Sequence, residues 1–298
     1  MQIDRLIRAI GACGNPSALG LDTRLEFVPE SFARPHLEAG GPAEAVRAFN
    51  FALLDGLKGL IPCVKVQAAY YELMGLPGLA CMRDTVEEAR RLGYVVILDA
   101  KRGDIGATAS AYSGAYLAPD APLAADFLTV NPYLGSDGVV PFVDDCRTTG
   151  RGIFVLVKTS NPSSGEFQDL VTEGGEPLYQ RVGAKAAEWG ASLVGTEGYS
   201  SVGAVVGATY PEQGALLRRR MPHTFFLLPG YGAQGASAEG LAGCFDASGG
   251  GAVVAASRSL ICAHKKAGTD DFVSAARDEA LRMRDELKRA LAGPGRLS

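Results

Sequence analysis

The chain has 298 residues, 47% of them apolar and 21% charged, enough for a buried core in one large domain or two ordinary ones. Its 29 basic and 33 acidic residues leave a net charge of −4. That excludes a broad basic surface for nucleic acid but not a local positive site for a small anion. No apolar run reaches the roughly 20 residues of a membrane helix, so no membrane partner is expected.

The N-terminal stretch MQIDRLIRAIGACG mixes charges among its apolar residues and predicts an amphipathic helix, not a secretory leader. Eight short β-rich runs then follow in order: SALGLD (17–22), CVKVQ (63–67), VVILDAK (95–101), FLTVN (127–131), IFVLVK (153–158), SLVGT (192–196), FFLLPG (225–230) and AVVAAS (252–257). Nearly continuous apolar strands suit burial on both faces, as in parallel sheets. Helical spacing of apolar residues marks 43–59, 86–93, 176–190 and 270–292. Eight β–α units predict an α/β fold, a (β/α)8 TIM barrel in a single domain over 1–298; a doubly wound open sheet is the alternative. Two polar, Gly/Pro-rich segments, 23–42 and 159–177, each follow a strand and read as extended loops at the end of the barrel that carries active sites. The six cysteines are scattered with no CxxC pair and read as reduced thiols of a cytoplasmic protein. His36, His223 and His264 are too far apart in sequence to suggest a metal site or a triad.

The third run ends abruptly in charge: VVILDAKRGDIGATA. Residues two apart on a strand share a face, so Asp99 and Lys101 point the same way, toward the barrel mouth. Asp104 lies just beyond, Lys65 occupies a comparable point of the second run, and Asp22 ends the first. Such a cluster could simply fix strand register. Desolvation, however, makes isolated buried ion pairs poor stabilisers, and three neighbouring strand ends each supplying charge favours a reactive site.

LDAKRGDIGAT resembles the DxKxxDIxxT signature of the orotidine 5′-monophosphate decarboxylase family, and the likeness runs from Asp22 to Arg258. The resemblance implies catalytic roles for Lys101, Asp99, Lys65 and Asp104. It implies that Asp104, Ile105 and Thr108 reach into the neighbouring site of a homodimer. TSNPSSG resembles the loop that reads the pyrimidine edge, which assigns Ser160 and Asn161 to the base. LPGYGAQG resembles the phosphate loop, with Pro229, Gly230, Gln234 and Gly235, and VAASRSL supplies Arg258 as the anion partner. Glycine-rich turns are common, but these two elements follow strands seven and eight, the usual phosphate site of such barrels. The long segments resemble the longer-chain bacterial branch.

The implied reaction converts orotidine 5′-monophosphate to uridine 5′-monophosphate in pyrimidine biosynthesis, through a C6 carbanion protonated by Lys101, with no cofactor and no metal. Asp22 and Lys65 are expected to hold ribose hydroxyls, and Asn131 in VNPYLG to line the site. Two other readings compete: a Mg²⁺-dependent sugar-phosphate decarboxylase or aldolase, whose barrel group shares DxKxxD, and a nucleotide-binding barrel without activity.

Overall fold

The computed structural model describes residues 1–232 and 237–293. Eight parallel strands close into a barrel: β1 (Ser17–Leu21), β2 (Cys63–Gln67), β3 (Val95–Arg102), β4 (Phe127–Val130), β5 (Gly152–Lys158), β6 (Ser200–Val206), β7 (Thr224–Pro229) and β8 (Ala252–Ala256). Each strand pairs with the next in sequence, and β8 returns to β1 through Ser17 opposite Val254. The closed ring resolves the choice left by strand counting in favour of the (β/α)8 barrel.

Period-two alternation divides the core into two shells. Leu19, Val64, Val96, Leu128, Val155 and Val254 point outward and pack beneath the helices. Ala18, Cys63, Val95, Phe127, Phe154, Phe225 and Val253 point inward and fill the barrel. Phe127 and Phe154 meet there with ring centroids 5.1 Å apart.

Helix α1 (Gln2–Cys13) closes the N-terminal end of the barrel. Its Ile3 and Leu6 are fully buried in the same cluster as the inward-facing strand residues. Arg5 fastens it by donating to the carbonyls of Gly93 (3.1 Å) and Tyr94 (2.9 Å) and by pairing with buried Asp126 at 3.3 Å.

Two expectations are corrected. The sixth strand is Ser200–Val206, not 192–196; Val194 makes only an isolated antiparallel bridge to Ser200. The true strand is rich in small residues because a neighbouring ring takes the space: a Cβ on Gly203 would sit 2.6 Å from the Phe154 ring. The 23–42 segment is not an extended loop. It contains a 3-10 turn, Leu25–Phe27, and then helix α2 (Glu30–Gly56), which is broken at Gly41. Gly41 takes φ 75°, a conformation that L side chains rarely adopt, and Pro42 restarts the helix with its preset φ. The first half is held by packing: Phe32 lies edge-on to Phe272 at 4.9 Å. The second long segment, 159–177, holds a 3-10 turn at Pro162–Ser164, a short helix at Gly165–Gln168 and a bridge from Val171 to Pro177. The six cysteines are all free, and four are buried.

Candidate active site

A cavity of about 790 Å³ opens at the C-terminal ends of the strands, within the range of small-molecule sites. The alternation that fills the barrel below also fills the cavity wall above. Lys65 and Gln67 continue the inward face of β2, Asp99 and Lys101 that of β3, Thr129 that of β4, and Ser257 follows β8. Gly20 on β1 leaves room for this last residue, since a Cβ there would fall 1.9 Å from the Ser257 hydroxyl.

Four charged side chains form one chain of contacts. Lys65 Nζ donates to Asp22 Oδ1 at 3.1 Å and to Asp99 Oδ2 at 3.0 Å, and Lys101 Nζ donates to Asp99 Oδ1 at 2.6 Å. Two neutral groups complete Asp99: Gln67 Nε2 donates to Oδ2 and the Thr129 hydroxyl to Oδ1, both at 3.0 Å. Asp99 thus accepts four hydrogen bonds while only 6% exposed.

The electrostatics follow from this wiring. Burial alone would raise the Asp99 pKa, but the ammonium groups of Lys65 and Lys101 outweigh it and hold the carboxyl well below the usual carboxylate range. Burial alone would lower the Lys65 pKa; the carboxylates of Asp99 and Asp22 outweigh it and push the ammonium above the ordinary lysine range. Both groups are therefore fully charged at neutral pH. The Lys101 side chain is 46% exposed against 5% for Lys65, so the row runs from a buried cation to one open to the cavity.

The backbone is bent to deliver Lys101. Pairing of β3 with β4 shifts between Leu98 and Arg102, and Lys101 sits at φ 49°, the only described residue besides glycine with positive φ. Bulges re-aim side chains in this way, and an αL residue without glycine's freedom is a strained position. The N–H that leaves the ladder is caught by the Thr129 hydroxyl oxygen at 2.9 Å. Thr129 therefore holds both the backbone of Lys101 and the carboxylate that receives its ammonium.

The other expected residues separate into three groups. Ser160, Asn161, Pro229, Gly230 and Arg258 line the cavity with Asp22, and Arg258 is exposed with no ion-pair partner among the described residues. Asp104, Ile105 and Thr108 do not. Beyond the bulge the chain turns away, Asp104 Oδ1 accepts the N–H of Ile105 at 2.8 Å, and Ile105 and Thr108 are exposed on the rim. Within one chain the charged row therefore runs Asp22–Lys65–Asp99–Lys101. Gln234 and Gly235 lie outside the described residues. Asn131 does not line this cavity: its Oδ1 accepts the N–H of Tyr133 at 3.0 Å, and it borders an adjacent, more apolar hollow of about 520 Å³.

Gln67, Thr129, Arg24, Thr159, Gln168 and Ser257 also line the cavity and were not anticipated. The signal for the first was present: the period of two that selects Lys65 also selects Gln67.

Residues 42–269 match the family model described as the orotidine 5′-phosphate decarboxylase / HUMPS family. The chain belongs to that family. An orotidine 5′-phosphate decarboxylase of Rhodopirellula baltica is 43% identical over 296 residues, covering 95% of this chain and 98% of that protein. One from Clostridium acetobutylicum is 39% identical and covers 98% of this chain and 100% of that protein. Among solved structures, Leishmania donovani OMP decarboxylase superposes with a TM-score of 0.77 at 29% identity, covering 98% of this chain and 99% of that one. The family's barrel is the fold seen here. Among the described residues no helix is long and apolar enough to cross a membrane.

Proposed function

We propose that this chain decarboxylates orotidine 5′-monophosphate to uridine 5′-monophosphate, in pyrimidine biosynthesis, with Lys101 as the proton donor. The observation that carries the reading is the row Asp22–Lys65–Asp99–Lys101 facing a nucleotide-sized cavity. Full-length relatives named orotidine 5′-phosphate decarboxylase support it.

The chemistry sets a specific demand. When the bond from C6 to the carboxylate breaks, its electron pair stays on C6 in the ring plane, where the ring cannot delocalise it. CO2 leaves, and the carbanion takes a proton from the Lys101 ammonium; solvent then returns a proton to the lysine. A fixed cation beside C6 stabilises the charge that develops, and preorganised charge in a site that excludes water is usually the largest catalytic contribution. Rate enhancements on the order of 10¹⁵-fold require about 20 kcal/mol, which no single contact supplies. Asp99 does two jobs in this reading. It holds Lys101 aimed, and it repels the substrate carboxylate until CO2 departs, the second effect being the smaller.

The remaining residues bind. Ser160 and Asn161 meet the base, Asp22 and Lys65 the ribose hydroxyls, and Pro229, Gly230, Gln234, Gly235 and Arg258 the phosphate. Phosphate binding, remote from C6, contributes to orientation and closure in the transition state. Asp104, Ile105 and Thr108, on the rim, serve the site of a second copy in a homodimer. No cofactor takes part.

The test is loss of the orotidine 5′-monophosphate absorbance band on adding purified protein in excess chelator. Turnover that stops with chelator and returns with Mg²⁺ would instead favour the sugar-phosphate branch. Uridine nucleotide binding without CO2 release would favour a binding protein.

A further inference from the structure

Strand β5 ends on a lysine whose side chain has no exposed surface. Lys158 Nζ donates to Asp169 Oδ1 at 2.8 Å and to the Ser164 hydroxyl at 3.3 Å. It also lies 4.5 Å from the centre of the Tyr210 ring and 5.7 Å from that of Tyr179. A buried ammonium is tolerated only with such partners. Lys158 does not line the cavity, but the next three residues, Thr159, Ser160 and Asn161, all do.

A second tie lies directly beside the first. Gln168 Oε1 accepts the Thr159 N–H at 2.9 Å, and Gln168 Nε2 donates to the Thr159 hydroxyl oxygen at 2.7 Å. Residues 158 and 159 are thus bound to 169 and 168, which cinches the neck of the loop between them. Ser164, in the 3-10 turn inside that loop, is held by the same ammonium. An apolar residue at the end of β5 would stabilise the barrel at least as well as a buried ion pair. What the pair adds is a unique geometry for the neck.

We propose that Lys158 is a positioning residue: its buried ammonium, neutralised by Asp169, fixes the neck of the 159–169 loop so that Ser160 and Asn161 are presented to the base of the bound nucleotide. The proposal rests on the nucleotide reading above. It assigns Lys158 to recognition of the base and to no contact with phosphate or the reacting carbon.

Asp169→Ala removes the counter-charge and leaves the buried ammonium without it, whereas Lys158→Met removes the buried charge itself and puts an apolar chain of similar length in its place. Binding is measured for uridine 5′-monophosphate and for ribose 5-phosphate, which keeps the sugar and phosphate but lacks the base. Each variant should weaken uridine 5′-monophosphate binding by about tenfold or more, the scale of misplaced polar contacts. Ribose 5-phosphate affinity should stay within about twofold, since its contacts lie outside the loop. Asp169→Glu should recover most of the loss. Equal weakening of both ligands, or unchanged nucleotide affinity with a lowered melting temperature, would show a merely structural lysine and overturn the proposal. Failure of the unaltered protein to bind uridine 5′-monophosphate would overturn the nucleotide reading itself, and this proposal with it.

Discussion

The ammonium of Lys101 turns back onto Asp99, two residues earlier on the same strand, and the two groups meet at 2.6 Å. The backbone at Lys101 lies in the left-handed region, and Thr129 holds it in place. The strain is located at the residue whose aim matters most for the chemistry.

Replacement of Lys101 by alanine should therefore reduce kcat by at least about 10³-fold, because it removes both the cation and the proton source. Because the side chain is 46% exposed and Asp99 keeps Lys65, Gln67 and Thr129, folding and uridine 5′-monophosphate binding should persist. Calorimetry beside a turnover assay separates the two effects, and near-normal turnover would remove the assigned role.

Asp99→Asn leaves Lys65 with one carboxylate and should cost about 3–5 kcal/mol of stability at pH 7, the usual consequence of breaking a buried pair. The pH dependence has a definite sign. The folded pKa of Asp99 lies below its unfolded value, so its contribution is present above about pH 4 and lost as pH falls through the folded value. The folded pKa of Lys65 lies above its unfolded value, so its contribution is complete below about pH 10 and lost as pH rises further. Urea unfolding at several pH values should show a variant deficit that is level between these limits and shrinks in acid.

Arg258 makes no protein ion pair among the described residues, so its removal should leave stability unchanged. Arg258→Ala should lower kcat/KM for the phosphorylated substrate by about 10- to 150-fold, corresponding to 1.5–3 kcal/mol for a charged hydrogen bond. An equal loss with the phosphate-free nucleoside would contradict the phosphate assignment.

Mixing an Asp104→Ala chain with a Lys101→Ala chain tests the shared site. Each variant alone should be inactive, and random re-pairing should restore about a quarter of the sites, because half of the dimers carry one intact site in two. No recovery would confine each site to one chain.

Leu6→Ala, at the closed end of the barrel, should cost about 2–5 kcal/mol, as for other fully buried leucines. The cavity lies at the opposite end, so kcat should change little. A thermal melt and a turnover assay on the same sample check both halves.

The charges of the site were readable because Lys65, Asp99 and Lys101 interrupt apolar strands at inward-facing positions. Gln67 and Thr129 follow the same parity, but neutral polar residues at strand ends look ordinary until the carboxylate they serve is seen. The break at Gly41 was legible in GGP, whereas the helix before it was not. Its Pro35 and flanking glycines read as loop, and the ring that holds Phe32 belongs to Phe272, far along the chain. The sixth strand was misplaced for a related reason. Gly203 is small because the Phe154 ring fills the barrel beside it, a fact that belongs to the packing and not to local preference.

With α1 seated as a stopper and inward-facing side chains filling the barrel above it, the cavity among the described residues opens toward the C-terminal ends of the strands. Incoming nucleotide, outgoing nucleotide and liberated CO2 must all pass that opening. Passage in and out of the site is thereby left to the loops at that rim, and the closed end of the barrel can be packed for stability alone.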